Sequence, residues 1–212
     1  PKEHLYTNQI QPYDRAPHLF VGFPTRYIPD RGSLTEGLFM SSRDGRVFHR
    51  WGEAFIRPGQ NRDRWHNRSN YIWLGLVKTA SELPGAGTEL SLYTNERYYQ
   101  GPGGKTRRYT IRVDGFVSVN ATLRGGEVVT KPLVFEGRRL KMNYSTSAAG
   151  SIRVEIQDAQ GRPIPGFALD ECPAIYGDQV EGIIAWKGGS DVGDLAGKPI
   201  RLRLVLNDAD IY

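Results

Sequence analysis

The sequence predicts an all-β protein built from short antiparallel strands. Short runs rich in β-branched and aromatic residues alternate with glycine- and proline-containing turns along the chain. Apolar residues that recur with a helical period of 3.6 are almost absent. The 25 glycines and 13 prolines are spread through the 212 residues, as expected where many turns connect short strands.

The first half of the chain contains seven segments with the length and composition of strands. The first of them, 18–23, is bounded by Pro17 and Pro24, which interrupt strand pairing. The segment 43–46 contains Asp-Gly, a hairpin signal that predicts a tight turn between the two strands beside it. The predicted strands are 18–23, 37–42, 47–51, 71–77, 89–94, 109–113 and 116–119.

The second half has strands with a more regular alternation of apolar and polar residues. In 200–206 the arginines alternate with apolar residues, which places one strand face in water and the other in the core. Pro132 interrupts 128–135, so this strand is expected at a sheet edge or with a bulge. The predicted strands are 128–135, 139–144, 151–157, 180–186 and 200–206. Their regular spacing is typical of a β-sandwich or jelly roll.

A domain boundary is predicted at the glycine-rich segment 101–104, which is the most linker-like stretch of the chain. We therefore expect one domain in residues 1–104 and a second, sandwich domain in residues 105–212. The segment 109–119 is the candidate strand that crosses between them.

Two segments carry a resemblance to a known family. The segment 42–51 has a Ser-Arg-Asp-Gly turn followed by aromatic residues. It resembles the turns of five-bladed propeller glycosidases and of sialidase-type Asp boxes, in which the aspartate caps the turn and glycine takes the left-handed conformation. The segment 130–212, with its runs 147–156, 163–166 and 197–203, is similar to the C-terminal sandwich of bacterial proteins labelled glycosyl-hydrolase-like, of the family 32 or 43 type.

This resemblance implies partial β-propeller blades in residues 1–104, followed by the β-sandwich in 105–212. It also implies a bacterial protein that is secreted or periplasmic. The earlier blades, which carry the nucleophile or base aspartate in such enzymes, are expected outside this chain. The family's Arg-Asp-Pro motif is absent, and the Glu171-Cys172 pair falls in the sandwich half, where we interpret it as coincidence.

Glycoside hydrolysis requires two carboxylates that flank the scissile bond. Glu36 directly precedes the apolar segment 37–40 and is the candidate catalytic acid, because propeller sites are built at strand mouths. The competing interpretation of Glu36 is an exposed loop acid. Asp44 is interpreted as the cap of its turn.

The candidate substrate-binding residues are basic. Arg15 and His18 open the first predicted strand, and His49 and Arg50 follow the Asp-Gly turn. Arginine makes paired hydrogen bonds with anionic and polyhydroxylated ligands, which suits a sugar site. An ordinary strand-end role is the alternative for each of the histidines.

Composition disfavours several other classes of function. The net charge of +5 is mostly arginine and is interrupted by acids, which argues against a nucleic-acid partner. The four histidines lack metal-ligand spacing, and no cofactor-binding motif is present. No apolar run is long enough to cross a membrane. Cys172 is the single cysteine, so an internal disulfide is excluded.

Two functions stay open. The first is part of a secreted glycoside hydrolase that acts on a polysaccharide or oligosaccharide. The second is a non-catalytic carbohydrate-binding or assembly module. Besides carbohydrate, a second chain or copy that supplies the missing blades is an expected partner, because two blades alone leave apolar faces in water. The side chains expected on those faces are Phe20, Phe23, Phe39, Trp51, Trp73 and Tyr93.

Overall fold

The computed structural model describes residues 2–212 and shows an all-β protein, as the sequence predicts. Every strand pair in the described chain is antiparallel. The strands are β1 (His4–Tyr6), β2 (Gln11–Tyr13), β3 (Ala16–Gly22), β4 (Thr25–Ile28), β5 (Leu34–Gly37), β6 (Met40–Ser42), β7 (His49–Arg50), β8 (Tyr71–Ile72), β9 (Val77–Ala80), β10 (Thr88–Glu96), β11 (Lys105–Arg112), β12 (Val119–Ala121), β13 (Gly126–Val129), β14 (Lys141–Asp158), β15 (Asp178–Ile183) and β16 (Ile200–Ile211).

Helical structure in residues 2–212 is limited to short 3₁₀ turns, at Pro29–Arg31, Arg62–Arg64, Gly101–Gly103 and Gly193–Leu195. A helix with the length and apolar character needed to span a membrane is not found in the described part of the chain.

The chain divides into two compact units, of which the first ends at Val113 and the second is Asp114–Tyr212. The division follows β11 because this strand pairs with β10 over its full length, from Glu96↔Lys105 to Glu89↔Arg112. The glycine-rich segment that predicted a domain linker instead connects β10 to β11, and Gly101–Gly103 forms a 3₁₀ turn within it. The 104/105 boundary would therefore cut one hairpin in two.

The first unit contains three small sheets. Their strand orders are β1-β4-β5, then β2-β3-β6-β7, and finally β11-β10-β8 with β9 also paired to β10. Its core includes Phe23, Phe39 and Phe55, whose ring centroids lie 5.5–5.7 Å apart. Phe23 and Phe39 are buried inside this unit. Two aromatics that were expected on an exposed blade face therefore belong to the unit's own core.

The second unit is one five-stranded sheet in the order β12-β16-β14-β15, with β13 also paired to β16. Its two long strands, β14 and β16, pair from Tyr144↔Ile211 to Asp158↔Ile200. The predicted strands 139–144 and 151–157 merge into β14 because a register shift between Thr146 and Ser151, rather than a turn, connects them.

Loop residues complete the core of the second unit. Trp186 donates its indole N–H to the Val154 carbonyl at 2.9 Å and meets the Phe167 ring edge-on, with centroids 5.1 Å apart. Burial raises the pKa of the Cys172 thiol, which is the free cysteine of this core. All strands of residues 114–212 belong to the one sheet, so the two facing sheets of a β-sandwich remain a prediction. The propeller blades predicted for the first unit also remain a prediction.

Candidate functional site

The Ser-Asp-Gly turn forms the local structure that its residues predict. The Oδ1 atom of Asp44 accepts the backbone N–H groups of Arg46 and Val47, both at 2.8 Å, and the hydroxyl of Ser42 at 2.9 Å. Gly45 has a φ of 69°, the left-handed conformation that glycine adopts without strain. The hydrogen bond from Val47 is the first cause that lowers the Asp44 pKa. Asp44 is the turn cap, as predicted, with its carboxylate committed to the backbone.

Glu36, the candidate catalytic acid, lies in an arginine–carboxylate cluster. It is directly opposite Arg26 in the β4–β5 pair, and Arg26 Nη1 lies 2.9 Å from Glu36 Oε1. The Nε atom of the same guanidinium lies 2.9 Å from Glu3 Oε2, and Arg50 Nη2 lies 2.7 Å from Glu3 Oε1. We call Glu3, Arg26, Glu36 and Arg50 the Arg26 cluster.

The Arg26 cluster favours the ionised form of Glu3. A hydrogen bond from Arg50 is the leading cause that lowers the pKa of Glu3, and the charges of Arg50 and Arg26 add to it. A glycosidase general acid needs the opposite, a carboxyl whose raised pKa keeps it protonated. The ion pairs of the cluster connect the segment just before β1 with β4, β5 and β7. Because Glu36 is bound to Arg26, an acid–base role for Glu36 requires ligand binding to displace this arginine.

We expect the cluster to make the protein sensitive to acid. Because the folded-state pKa of Glu3 is lowered, its contribution to stability is fully present above its ordinary pKa of 4.5 and is lost as pH falls through the folded value. The pKa of Glu96 is also lowered, and the leading cause is a hydrogen bond from Arg107. The urea midpoint of Glu3→Gln should consequently fall less steeply than that of the wild type between about pH 6 and about pH 3. Parallel curves would contradict this assignment.

The structure separates the other candidate residues from one another. His49 is exposed beside Arg50 on β7, with its ring edge-on to Trp51 at a centroid distance of 4.4 Å. His18 is exposed on β3. Arg15 lines a cavity of about 140 Å³, and none of the residues that line this cavity belongs to the Arg26 cluster. Of the five predicted site residues, only Glu36 and Arg50 share a cluster in the described chain.

A larger cavity, of about 410 Å³, opens elsewhere in the first unit. Its walls come from β1 and the loop after it, from the loop and strand around β8, and from the end of β10. We call it the aromatic cavity, and it is lined by Tyr6, Thr7, Gln9, Asn67, Arg68, Tyr71, Ile72, Trp73, Asn95, Tyr98 and Tyr99.

Strand pairing and backbone contacts assemble this cavity. Tyr71 pairs with Asn95 where β8 meets β10. The N–H of Tyr98 then donates to the Arg68 carbonyl at 2.9 Å, which brings the end of β10 against the loop before β8. Residues that are far apart in the sequence, such as Arg68 and Tyr98, therefore line one space.

Neighbouring side chains fix the orientation of two aromatic rings in the aromatic cavity, and several of its rings are exposed to solvent. Tyr6 stacks on Tyr27 with centroids 4.9 Å apart and planes within 8°, and the Trp73 indole donates to Asn95 Oδ1 at 2.6 Å. Trp73 is nevertheless 44% exposed and Tyr99 is 77% exposed. Fixed aromatic faces that remain open to solvent are more typical of ligand surfaces than of a core.

The backbone of the cavity is strained at several positions. Thr7, Gln9, Arg68 and Tyr99 all have positive φ angles, of 45°, 47°, 68° and 58°. Such conformations cost about 1–3 kcal/mol each and concentrate at functional sites, where surrounding structure maintains them. These residues are not glycines, so the sequence pattern did not mark them as turns.

The aromatic cavity has no carboxylate in its lining, and Arg68 is its one charged side chain. Burial is the leading cause that raises the pKa of Tyr71, which keeps its phenol a neutral hydrogen-bond donor. No group of three or more histidine, cysteine, aspartate or glutamate residues that would suit a metal occurs within residues 2–212. The cavity is therefore equipped for binding by ring faces, amides and one guanidinium.

Sequence reasoning missed this site. The available signals were the adjacent Tyr98 and Tyr99 and the chain's high aromatic content.

Comparisons with protein-family models, with curated proteins and with solved structures found no match to this chain. The resemblance to propeller glycosidases therefore stays a prediction.

Proposed function

We propose that this chain is the carbohydrate-binding part of an extracytoplasmic, carbohydrate-active protein and that the aromatic cavity is its sugar site. One observation carries the proposal: exposed aromatic faces and side-chain amides line an open cavity without a carboxylate. Binding, rather than hydrolysis, is the chemistry that this lining supports.

The chemistry of a pyranose ring matches the lining. Its axial C–H groups form an apolar face that packs on an aromatic ring, and its hydroxyls both donate and accept hydrogen bonds. Trp73 offers the ring, while Gln9 and Asn67 offer amides that provide both donors and acceptors. The volume of about 410 Å³ is within the range of small-molecule sites, about 300–1,000 Å³.

Isothermal titration calorimetry tests this proposal. The intact chain is titrated with soluble oligosaccharides prepared from plant and algal polysaccharides. The proposal expects saturable binding of at least one sugar with a single site per chain. An absence of binding across neutral and acidic sugars, in a protein with a cooperative thermal transition, would remove its basis.

Glycoside hydrolysis is the second candidate, and the Arg26 cluster is the observation that favours it. Glu36 and Glu3 contact one guanidinium at 2.9 Å each, so two carboxylates lie near each other, and a glycosidase uses such a pair. Under this alternative, substrate binding displaces Arg26 and Glu36 takes up a proton from water. Glu36 then donates this proton to the glycosidic oxygen as the C–O bond breaks, and a water molecule that loses its proton to the second carboxylate adds to the anomeric carbon.

Glu36→Gln distinguishes the two candidates. If hydrolysis is the function, reducing-sugar release by the wild type should fall by at least about 100-fold in this variant. If binding alone is the function, we expect no release by either protein and an affinity for sugar within about twofold of the wild type. Asp44→Asn, which alters a capping carboxylate outside the cluster, is the control for a general effect of charge loss.

A further inference from the structure

A second cavity adjoins the aromatic cavity at the β10–β11 hairpin. It has a volume of about 190 Å³ and shares Asn95, Tyr98 and Tyr99 with the aromatic cavity. Arg97 and Lys105 are among its other lining residues. We call it the hairpin cavity. Asn95, Tyr98 and Tyr99 line both spaces, so the two cavities are neighbours in the first unit, and we refer to them together as the groove.

The charges in this groove are mainly positive. Arg68 lines the aromatic cavity, and Arg97 and Lys105 line the hairpin cavity. Arg68 has no ion-pair partner among residues 2–212. Arg97 approaches Asp63 at 3.8 Å, but both side chains are well exposed, and such pairs attract weakly in water.

The one acid in the groove is already compensated. Glu96 lines the hairpin cavity, but its side chain is only 3% exposed. Its carboxylate pairs with Arg64 Nε at 3.2 Å and accepts hydrogen bonds from Arg107. An incoming anion therefore meets the solvent-accessible cations Arg68, Arg97 and Lys105 rather than the buried carboxylate of Glu96.

We propose that the groove binds an acidic oligosaccharide, an inference that rests on the carbohydrate-binding function proposed above. A sugar ring packs against Trp73, Tyr98 or Tyr99, and a carboxylate or sulfate on a neighbouring ring lies between Arg97 and Lys105. Guanidinium groups form paired hydrogen bonds with planar carboxylates and also with tetrahedral oxyanions. A neutral glycan brings no opposite charge to these cations.

Single-stranded nucleic acid is the competing occupant, because it also combines stacking rings with negative charge. The geometry favours sugar. Tyr98 and Tyr99 pack against each other with centroids 4.0 Å apart, which leaves no space for a base between them. The amides of Asn67, Asn95 and Gln9 instead surround the rings with hydroxyl partners.

The test compares ligands that differ in charge on one backbone. Calorimetry measures the affinity of the intact chain for an oligogalacturonate, its methyl ester, a sulfated galactan oligosaccharide, its unsulfated form and an oligo(U) of similar length. We expect the carboxylated or sulfated ligand to bind at least about tenfold more tightly than its uncharged counterpart, with the difference shrinking in about 0.5 M salt. The better of the two acidic ligands identifies the source of the anion.

A pair of double variants assigns the effect to the groove. In Arg97→Gln/Lys105→Gln, the preference for the acidic ligand should fall to within about threefold. Arg124→Gln/Lys187→Gln removes the same charge from exposed positions of the second unit and should keep the preference. Thermal midpoints verify that both double variants fold.

Each other outcome decides against the inference. Equal affinity for charged and uncharged sugars overturns it, while the proposed carbohydrate-binding function stands. Tighter binding of oligo(U) than of every sugar overturns it in favour of nucleic acid. Binding of none of these probes overturns both this inference and the proposed function. A preference for acidic sugar that persists in the Arg97→Gln/Lys105→Gln protein places the anion site elsewhere and overturns the assignment.

Discussion

Trp73→Ala should weaken sugar binding by at least about 30-fold, or about 2 kcal/mol, the loss expected when a central aromatic contact is removed. The reason is that Trp73 is 44% exposed in the aromatic cavity, where its ring is oriented by the hydrogen bond to Asn95. Calorimetry with the best oligosaccharide of the panel measures the change.

Two further variants make the Trp73 result specific. Trp65 is 53% exposed but does not line the aromatic cavity, so Trp65→Ala should bind within about twofold of the wild type. Trp73→Phe keeps a ring face and loses only the indole N–H, so it should retain intermediate affinity. If Trp73→Ala folds and binds sugar normally, the aromatic cavity is not the sugar site.

Gly150→Ala should destabilise the second unit by about 3 kcal/mol, since overpacking against rigid backbone is among the costly single changes. Gly150 lies in β14 within the register shift that follows Thr146. An added Cβ would overlap the carbonyl oxygen of Asp208 and lie 2.9 Å from that of Asn207. These are backbone atoms of the partner strand, so a side-chain rotation cannot relieve the clash.

Gly188→Ala is the matched control for this prediction. A Cβ at Gly188 meets nothing within 4 Å, so this variant should lie within about 0.5 kcal/mol of the wild type. Urea unfolding followed by circular dichroism measures both variants. Equal midpoints for Gly150→Ala and Gly188→Ala would show that the β14–β16 register is not as described.

The sequence predicts best where local chemistry determines structure. The Asp44 cap and the left-handed Gly45 follow from side chains that bond to their own turn. The predicted strand 18–23 corresponds to β3, and 89–94 to β10, because alternation and flanking turn residues act within a few positions.

Long-range pairing accounts for what the sequence did not predict. The sequence predicts Glu36 as a catalytic acid or an exposed loop acid, whereas the β4–β5 register places Arg26 directly opposite it. The glycine-rich segment 101–104 predicts a linker, but the strands on either side of it, β10 and β11, pair with each other. The alternation of apolar and polar residues predicts which side chains lie on each face of a strand. It does not predict which other strand pairs with it.

The aromatic cavity was hidden for a related reason. Its lining comes from separate segments, near Tyr6, near Tyr71 and near Tyr98, that have no common motif. Its turns have positive φ angles at Thr7 and Tyr99 rather than at glycine, which contradicts the usual turn signals. Departures from local sequence rules are expected at functional sites, since these retain strain that the rest of the fold compensates.

Hydroxyl-radical footprinting of the intact chain, with and without a saturating concentration of its best oligosaccharide, tests the sugar site most directly. We expect the sugar to protect Trp73, Tyr98 and Tyr99 from oxidation. Trp65 and Tyr176 are also exposed but lie outside the cavity, so they should oxidise at unchanged rates. Protection of Trp65 or Tyr176 without protection of Trp73 would contradict this expectation.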